Sequence, residues 1–482
     1  MKIAVLGAGI TGLSAAYRLT RRIAIGTLPP ETQIVVFDRR PRIGGVLETV
    51  TRDGHQIEQS ADNFITTVPW GIDLCCELGI DSELVQTNAD YRRTYVVRHG
   101  RLHLLPDGFL MMAPTKLWPL ATTPLLSPFG KLRAGLELLL PARRDDSDES
   151  MAHFVKRRLG REVFERLVEP LISGVYAADM EKLSVLATMP RFRDMERTHR
   201  SLILAMRSQM LQKRRADRMT GQKNDQESGA RYSMFVTLRS GLSRLCETLA
   251  AHLPPDALRL DCEIVSLAKE RPSESGRTQW SLRNSRGETE SFDHVIAALP
   301  AHAAARLLRD PLPEIGERLG RIEHQGTAIV TLAFRPEQIR QSIRGMGFVV
   351  PTIERSPLLA GSFSSLKYEH RVPNDNLLLR LFAGGARAPE MAEMPDAELI
   401  PLLCKELKRI IRVDGDPIFT VTAHWPRTMP QYHVGHRELI ADTQTLLLQE
   451  PTIRLAGNYI QGVGIPNCMH SGQIAAESLA NE

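Results

Sequence analysis

The sequence has no long hydrophobic run and is poor in cysteine. Among its 482 residues, no segment approaches the roughly 18 consecutive apolar residues that a membrane-spanning helix requires. The 6 cysteines include no Cys-x-x-Cys pair, which argues against a disulfide framework and against a zinc site, and no other metal site is expected. Their spacing is typical of reduced thiols in a cytosolic setting.

Charge of either sign is not in large excess. The 61 basic and 56 acidic residues leave a net charge of +5, which does not by itself indicate nucleic acid as a partner. The N-terminus, MKIAVLGAG, has neither the long apolar stretch nor the cleavage site of a signal peptide. We therefore expect the mature protein to begin at Met1 and to stay in the cytoplasm, as a globular protein of two or three domains.

The N-terminal segment combines a strand, a glycine loop and a helix. The apolar run Lys2–Leu6 is typical of a buried parallel strand, and Gly7-Ala-Gly9-Ile-Thr-Gly12 follows it. Gly7 permits a tight turn, Gly9 lets the backbone approach a pyrophosphate, and Gly12 lets helix and strand pack closely. The helix N-terminus offers free N–H groups to phosphates. This pattern predicts a bound dinucleotide; the alternative is a glycine-rich structural turn.

A second predicted strand, residues 33–38, ends on Asp38, a carboxylate placed to bind ribose hydroxyls. Its distance from the glycine loop is longer than the usual ~20 residues. We interpret residues 23–32, which contain Pro29-Pro30, as an inserted loop that accounts for the difference.

Arg42 and the pair Gly44-Gly45 come soon after this strand. Two glycines here let the backbone pass beside a bound dinucleotide. The arrangement resembles the FAD-binding group that includes amine oxidases, phytoene desaturases and protoporphyrinogen oxidases, and simple NAD dehydrogenases lack it. Arg42 is expected to neutralise pyrophosphate charge or to be an ordinary surface arginine.

Two further segments resemble flavin contacts of that group. Glu58 leads a loop that runs under the flavin in the resembling proteins, where the pattern is usually Glu-x-Gly-Pro; here it reads Glu58-Gln59-Ser60-Ala61. The uncharged, glycine-rich segment 457–468 is expected to wrap the isoalloxazine. The helix after it would point its positive end at the flavin N1–C2 edge.

Several stretches narrow the group further. Residues 170–184 (PLISGVYAADMEKLS), 345–351 (GMGFVVP), 429–436 (MPQYHVGH) and 457–468 (GNYIQGVGIPNC) resemble the protoporphyrinogen/coproporphyrinogen oxidase family, and the likeness runs nearly end to end. It implies an α/β fold with a Rossmann-like FAD-binding domain, a mixed-sheet substrate domain and an inserted helical domain. It also implies six-electron oxidation of a porphyrinogen, with hydride passing to flavin N5 and with O2 or another acceptor reoxidising the FAD. No residue is expected to act as a catalytic acid or base.

The resemblance assigns the FAD contacts to the motifs described above, to one middle strand and to the closing turn. These residues are Gly7, Gly9, Ile10, Thr11, Gly12, Asp38, Arg39, Arg42, Gly44, Gly45, Val46, Ser60, Ala61, Asp62, Asn63, Ile264, Trp425, Gly457, Val463, Gly464 and Ile465.

The resemblance also assigns substrate contacts. Met346 and Val349 fall where the family has an apolar clamp on one face of the tetrapyrrole, with core packing as the alternative. Gly174 falls where a backbone carbonyl faces the substrate.

The resemblance also assigns a propionate tether to Arg93, a role that the guanidinium fork suits. Arg92, Arg98 and Arg101 are alternatives. Coproporphyrinogen has four propionates and protoporphyrinogen two, and the sequence leaves the choice between these substrates open.

The domain division follows composition and resemblance. Residues 1–90 and 232–300 are assigned to the FAD-binding domain, 91–210 to a helical substrate-binding insertion, 211–231 to a polar loop, 301–440 to the substrate-domain sheet and 441–482 to the closing strand, loop and helix. Leu110, Met111, Met112 and Trp118 are either core residues, the more common meaning of such a stripe, or a contact with a membrane surface.

Two other functions stay open. An amine oxidase or carotenoid desaturase would share the scaffold, but amine oxidases usually have aromatics flanking the flavin and often a lysine in its water network, and the Trp425 region offers one aromatic. A flavin-binding protein without turnover is the third hypothesis. For a haem-biosynthetic oxidase, the expected partners are the porphyrinogen, O2 or another acceptor, a ferrochelatase and, peripherally, the inner face of the membrane.

Overall fold

The computed structural model describes residues 1–220, 234–270 and 279–479. Its first sheet has five parallel strands, in the order Leu258–Arg259, Gln33–Phe37, Lys2–Leu6, His294–Ala297 and Ile453–Leu455. We call this the parallel sheet. The two predicted N-terminal strands lie side by side in it, and the α/β fold class is confirmed.

Successive residues of the parallel sheet alternate between two cores, as the pleat of a strand requires. Ile3 and Val5 face one core, which the first helix (Ile10–Ala24) and the closing helix (Ile465–Glu477) cover. Ala4 faces the other core. Because both faces are covered, the strands are apolar throughout.

The second core extends beyond the predicted domain boundary. It includes three helices and an antiparallel sheet: Ala301–Leu308, Pro313–Gly320, His436–Leu447, and the strands Ile264–Lys269, Trp280–Asn284 and Thr289–Phe292. The helices that follow the boundary predicted at residue 301 thus pack in this second core as far as Gly320, and the domain division itself stays a prediction.

The second large sheet is mixed. Its seven strands follow the order Phe419–Pro430, His324–Phe334, Leu377–Gly384, Leu358–Phe363, Gly347–Val349, Thr94–Arg98 and Arg101–Leu104. Only Gly347–Val349 and Thr94–Arg98 pair in parallel among these neighbours. The hairpin predicted to turn at His99-Gly100 is present, but its strands belong to this seven-stranded sheet and not to the helical insertion. The helix Asp396–Ile410 packs against the sheet.

Between that hairpin and residue 220 the chain is mainly helical. This helical region contains Leu117–Thr122, Pro128–Gly135, Met151–Leu159, Arg161–Val163, the π-helical turn Phe164–Val168, Glu169–Tyr176, Val185–Thr188, Pro190–His199 and Leu202–Thr220. The last helix corrects one prediction, because residues 211–220 continue it where a polar loop was expected. Lys, Arg, Gln and Leu are all good helix formers, so polarity did not distinguish a helix from a loop. The rest of the predicted loop, from residue 221 on, lies outside the described residues.

Short elements complete the fold. They are the hairpins Thr49–Arg52 with His55–Glu58 and Phe109–Leu110 with Ala113–Pro114, the small sheet of Phe64–Ile65, Phe235–Leu238 and Leu84–Gln86, and the helices Trp70–Glu77, Ser243–Ala251 and Ser364–Lys367. Within the three described ranges, no helix combines the length and the apolar character needed to cross a membrane.

Candidate FAD and substrate site

The glycine loop joins the strand Lys2–Leu6 to the first helix, as predicted. Gly7 has a φ of +105°, and an added Cβ at Gly12 would lie 1.8 Å from the Gly7 carbonyl oxygen, so both positions require glycine. At Gly9, the nearest neighbour of an added Cβ is the Cα of Gly45, at 3.9 Å. The first helix begins at Ile10 with no side-chain cap and no acid in its first turn. Its N–H groups therefore suit an anion in the space beside Gly9.

The predicted glycine pair lies directly against this loop. The Gly44 N–H donates to the Ala8 carbonyl oxygen at 2.8 Å. An added Cβ at Gly45 would approach the Gly9 Cα to 3.2 Å. The two segments thus border the same space.

Arg42 is engaged within the protein. It donates to the Gly45 carbonyl oxygen (3.0 Å) and pairs with Glu48 (2.8 Å). Arg40, which the sequence analysis missed, donates to the same carbonyl at 2.8 Å, and its guanidinium lies 5.1 Å from the centre of the Trp425 ring. Both arginines hold the turn at Gly44-Gly45. The role of Arg42 toward a pyrophosphate stays a prediction.

Asp38 ends its strand beside the glycine loop. Its carboxylate accepts hydrogen bonds from the N–H groups of Ala8 (2.8 Å) and Arg40 (2.8 Å). Its carbonyl oxygen accepts from the N–H of Cys262 at 2.8 Å, two residues before Ile264, which is buried. Asp38 and Ile264, assigned to the ribose and adenine side, therefore lie near each other.

The loop 59–63 is held through its backbone by buried side chains of the seven-stranded sheet and its flanking turn. The donors are Trp425 to the carbonyl of Gln59 (2.6 Å), Arg380 to that of Ser60 and Arg371 to that of Asp62 (2.9 Å). The sequence departs here from the Glu-x-Gly-Pro pattern, and these three hydrogen bonds give the loop a fixed position. Trp425 therefore contacts the backbone of this loop, and its assigned contact with FAD stays a prediction.

The carboxylate of Asp62 lies among three cations. The Lys367 Nζ is 3.0 Å from both carboxylate oxygens, Arg380 is 3.5 Å away and Arg371 is 3.7 Å away. Burial alone would raise the pKa of Asp62, but Lys367, Arg380 and Arg371 together hold that pKa well below its ordinary value. Asp62 is therefore ionised at neutral pH.

The closing turn and the closing helix lie against the first helix. An added Cβ at Gly472 would be 2.1 Å from the carbonyl oxygen of Thr11, so the two backbones touch there. The closing helix begins at Ile465, after Gly464, with no side-chain cap and no acid in its first turn. From residue 465 to residue 472 the helix rises about 10 Å. Two uncapped helix N-termini are therefore spaced along the site, which suits the predicted pyrophosphate beside the first helix and the predicted flavin edge beside the closing helix.

Gly174 and Val349, which were each assigned to the substrate, lie next to each other. An added Cβ at Gly174 would lie 3.9 Å from the Val349 Cγ1 and from the Ala360 Cβ. Val463 of the closing turn packs against the same apolar core as Val349. The helical region, the seven-stranded sheet and the closing turn therefore all contribute to this apolar core.

Arg93 and Met346 form a second group. The Met346 N–H donates to the Arg93 carbonyl oxygen at 2.8 Å, and the Met346 carbonyl accepts from Phe363 at 2.9 Å, so this segment is extended. Met346 and Val349 are three residues apart, and the alternation of a strand directs their side chains to opposite faces. This arrangement therefore does not support a single clamp formed by the side chains of Met346 and Val349.

The guanidinium of Arg93 is exposed and has no hydrogen-bond or ion-pair partner among the described residues. Its neighbour Arg92 donates to the Thr87 carbonyl oxygen at 3.0 Å. Arg98 and Arg101 lie opposite each other at the turn end of the hairpin. Of the four arginines considered, Arg93 best suits a carboxylate tether next to Met346.

The residues present fit an FAD. Ser60 Oγ and Gln59 Nε2 are buried without a hydrogen-bond partner in the described part of the chain. Together with the space beside Gly9 and the two helix N-termini, they offer the donors that a dinucleotide would use. The other assigned residues follow the same path: Thr11 is buried, Asn63 and Gly457 flank the loop and the closing turn, and Arg39, Val46 and Ala61 are exposed.

A family model described as flavin-containing amine oxidoreductase matches residues 10–480. The chain belongs to this family. The family confirms the prediction that the dinucleotide is a flavin, FAD, and rules against a nicotinamide dehydrogenase.

Curated relatives of this flavin-containing amine oxidoreductase cover the chain from end to end. It is 34% identical to the coproporphyrinogen III oxidase of Bacillus subtilis (strain 168), over 98% of this chain and 96% of that protein. It is 27% identical to protoporphyrinogen oxidase 2, chloroplastic/mitochondrial, of Arabidopsis thaliana, over 99% of this chain and 93% of that protein.

A solved structure resembles the whole chain. The crystal structure of a putative protoporphyrinogen oxidase from Exiguobacterium sp. 255-15 superposes with a TM-score of 0.83, at 29% identity over 99% of this chain and 98% of that one. The fold predicted from the sequence is confirmed by this superposition.

Proposed function

We infer that this chain is an FAD-dependent porphyrinogen oxidase of haem biosynthesis that removes six electrons from the macrocycle, with coproporphyrinogen III as the preferred substrate. The observation that carries the inference is the end-to-end similarity to a coproporphyrinogen III oxidase at 34% identity. The lower identity to a protoporphyrinogen oxidase, 27%, supports the substrate preference.

When bound, FAD supplies the hydride acceptor for each two-electron oxidation. The protein's part is to position the porphyrinogen and to exclude water. The apolar wall of Gly174, Val349 and Val463 would hold one face of the macrocycle beside the closing turn, and the unpaired guanidinium of Arg93 would hold a propionate. Three two-electron steps release six electrons and six protons, and three O2 molecules would take them up as three H2O2.

An aerobic assay tests this function. Coproporphyrinogen III and protoporphyrinogen IX are added separately to the purified yellow protein, and porphyrin fluorescence is followed. Fast fluorescence with coproporphyrinogen III and slower fluorescence with protoporphyrinogen IX are expected, with one H2O2 per two electrons. No fluorescence from either substrate would contradict the function, and an amine or a polyene that bleaches the flavin would then identify the alternative.

Replacing Arg93 by alanine is expected to raise the KM for coproporphyrinogen III by about tenfold or more, because a charge-assisted hydrogen bond to a carboxylate is lost. The flavin spectrum should not change. Arg101→Ala is the matched control, since Arg101 is also an exposed arginine of the same hairpin but lies at its turn end. Equal KM values for the two variants would refute the tether.

We also propose that the helical region makes peripheral contact with a membrane through exposed apolar side chains. Several large apolar side chains are exposed in two consecutive helices and the turn that follows them: Leu117, Trp118, Phe129, Leu132, Leu136 and Leu139. We call them the apolar patch; Trp118 is 77% and Phe129 84% exposed. Patches of this kind commonly mark membrane or protein contacts. Of the residues first considered for this role, Met112 is fully buried in the core, Met111 is half-buried, and the side chain of Leu110 lies outside the described set.

The double variant Trp118→Ala/Phe129→Ala is expected to abolish sedimentation with vesicles of phosphatidylcholine and phosphatidylglycerol, because these two side chains supply the largest exposed apolar area. Leu448→Ala is the control, since Leu448 is 82% exposed outside the helical region. Wild-type protein that stays in the supernatant would contradict membrane contact. The patch would then be tested against a ferrochelatase, the enzyme class that would receive the porphyrin.

A further inference from the structure

We propose that a buried charge cluster, formed by Glu58, Asp62, Lys367, Arg371 and Arg380, raises the reduction potential of the FAD, with Lys367 as a positioning residue that supplies its unbalanced positive charge. The inference rests on the proposed function, since it takes the loop 59–63 to lie beside the flavin ring. No residue of the cluster needs to touch the substrate.

The cluster carries more positive than negative charge. Three cations surround two carboxylates, and Arg371 and Arg380 are at most 1% exposed. Burial raises the pKa of Glu58, and its protonation would only add to the excess. Burial lowers the pKa of Lys367, but the Asp62 carboxylate at 3.0 Å opposes that shift. With Lys367, Arg371 and Arg380 protonated, the net charge is at least one positive unit.

Apart from the two carboxylates of the cluster, the two arginines contact neutral groups. The Arg371 guanidinium lies 4.5 Å from the centre of the Tyr368 ring and donates to Thr237 at 3.1 Å; that of Arg380 lies 5.2 Å from the Phe382 ring. Both Nε atoms are buried without a hydrogen-bond partner among the described residues.

A buried charge that lacks full compensation is costly, so its presence points to a ligand that becomes negative. Reduction adds negative charge to a flavin, and the loop that the cluster holds is the one assigned to the flavin ring. In a buried setting the attraction between charges is much stronger than in water. The cluster would thus favour the reduced state, in the same direction as the positive end of the closing helix.

Charge exchange at the Lys367–Asp62 pair tests this directly. Lys367→Met removes one positive charge and Asp62→Asn removes one negative charge, whereas the double variant restores the native net charge. The midpoint potential is measured anaerobically against a reference dye, from the flavin absorbance. Lys367→Met should lower the equilibrium constant for reduction on the order of tenfold, about 30 mV for a two-electron couple. Asp62→Asn should raise it by a similar factor, and the double variant and Lys367→Arg should stay near the wild-type value.

A cluster with a purely structural role predicts a different order of midpoint potentials among the variants. Both single variants would then shift the potential in the same direction or leave it unchanged, and the double variant would deviate most; either result overturns the proposal. If Lys367→Met does not fold, Asp62→Asn and the double variant still differ by one charge, and equal potentials for these two would overturn it. An enzyme that binds FAD and forms porphyrin but shows such unchanged potentials would refute the cluster's role alone. A protein purified without FAD would refute the proposed function as well.

Discussion

Replacing Glu137 by glutamine is expected to lower the free energy of unfolding by about 3 kcal/mol, because a buried arginine would lose its charged partner. Glu137 and Arg158 are both fully buried and pair directly in the helical region. Glu137 also accepts hydrogen bonds from Ser201 Oγ (2.5 Å) and from the N–H of Leu202 (2.8 Å), which starts the helix Leu202–Thr220. One carboxylate thus joins three segments of this region.

Urea unfolding, followed by circular dichroism, measures the effect. Glu165→Gln is the control in the same region, since Glu165 pairs with Arg161 at an exposed helix surface, and no measurable change is expected there. The double variant Glu137→Leu/Arg158→Met should recover most of the loss, since a buried ion pair can be replaced by apolar side chains. A single variant as stable as the wild type would show that Glu196, 3.6 Å from Arg158, compensates the charge.

Local motifs were the part of the site that the sequence predicted well. The spacing of Gly7, Gly9 and Gly12 is set by contacts within one strand–turn–helix unit, so the pattern and its geometry occur together. The same holds for Gly44-Gly45, which forms a tight turn beside that unit. Short-range sterics determine these positions, and a sequence records them directly.

The charge cluster could not have been predicted in this way. Asp62 and Lys367 are separated by 305 positions along the chain. Nothing near Lys367, Arg371 or Arg380 distinguishes them from the other basic residues, because only the pairing of the seven-stranded sheet brings them to the loop. The only local signal was the departure from the Glu-x-Gly-Pro pattern. That departure made the contacts of the loop uncertain, whereas in the structure side chains distant in sequence hold the loop in place.

The arginines beside Gly44-Gly45 show a similar limit. Arg40 and Arg42 are two positions apart, and both donate to the Gly45 carbonyl oxygen. Resemblance selected Arg42, whereas the contact with Trp425 belongs to Arg40. Side-chain direction depends on the turn that follows, and that turn is fixed only after the glycine loop packs against it.

Replacing Gly472 by alanine is expected to weaken FAD binding by about 100-fold, because the closing helix must move away from the first helix. An added Cβ would lie 2.1 Å from the backbone carbonyl oxygen of Thr11, and a backbone atom cannot yield as a flexible side chain can. Overpacking at such a contact costs about 3 kcal/mol, and 1.4 kcal/mol is about tenfold in a dissociation constant. The helix itself would gain from alanine, so the expected loss arises entirely from the contact.

Gly320→Ala separates these two effects. Gly320 ends a helix of the same domain, and the nearest neighbour of its added Cβ is Ala305 at 4.0 Å, so this variant should bind FAD as the wild type does. The dissociation constant is measured by titrating the FAD-free protein with FAD and following flavin fluorescence. Equal affinity of Gly472→Ala and Gly320→Ala would mean that the two helix N-termini need not keep their spacing to hold the dinucleotide. A loss confined to Gly472→Ala would place the FAD across the contact between the first and closing helices.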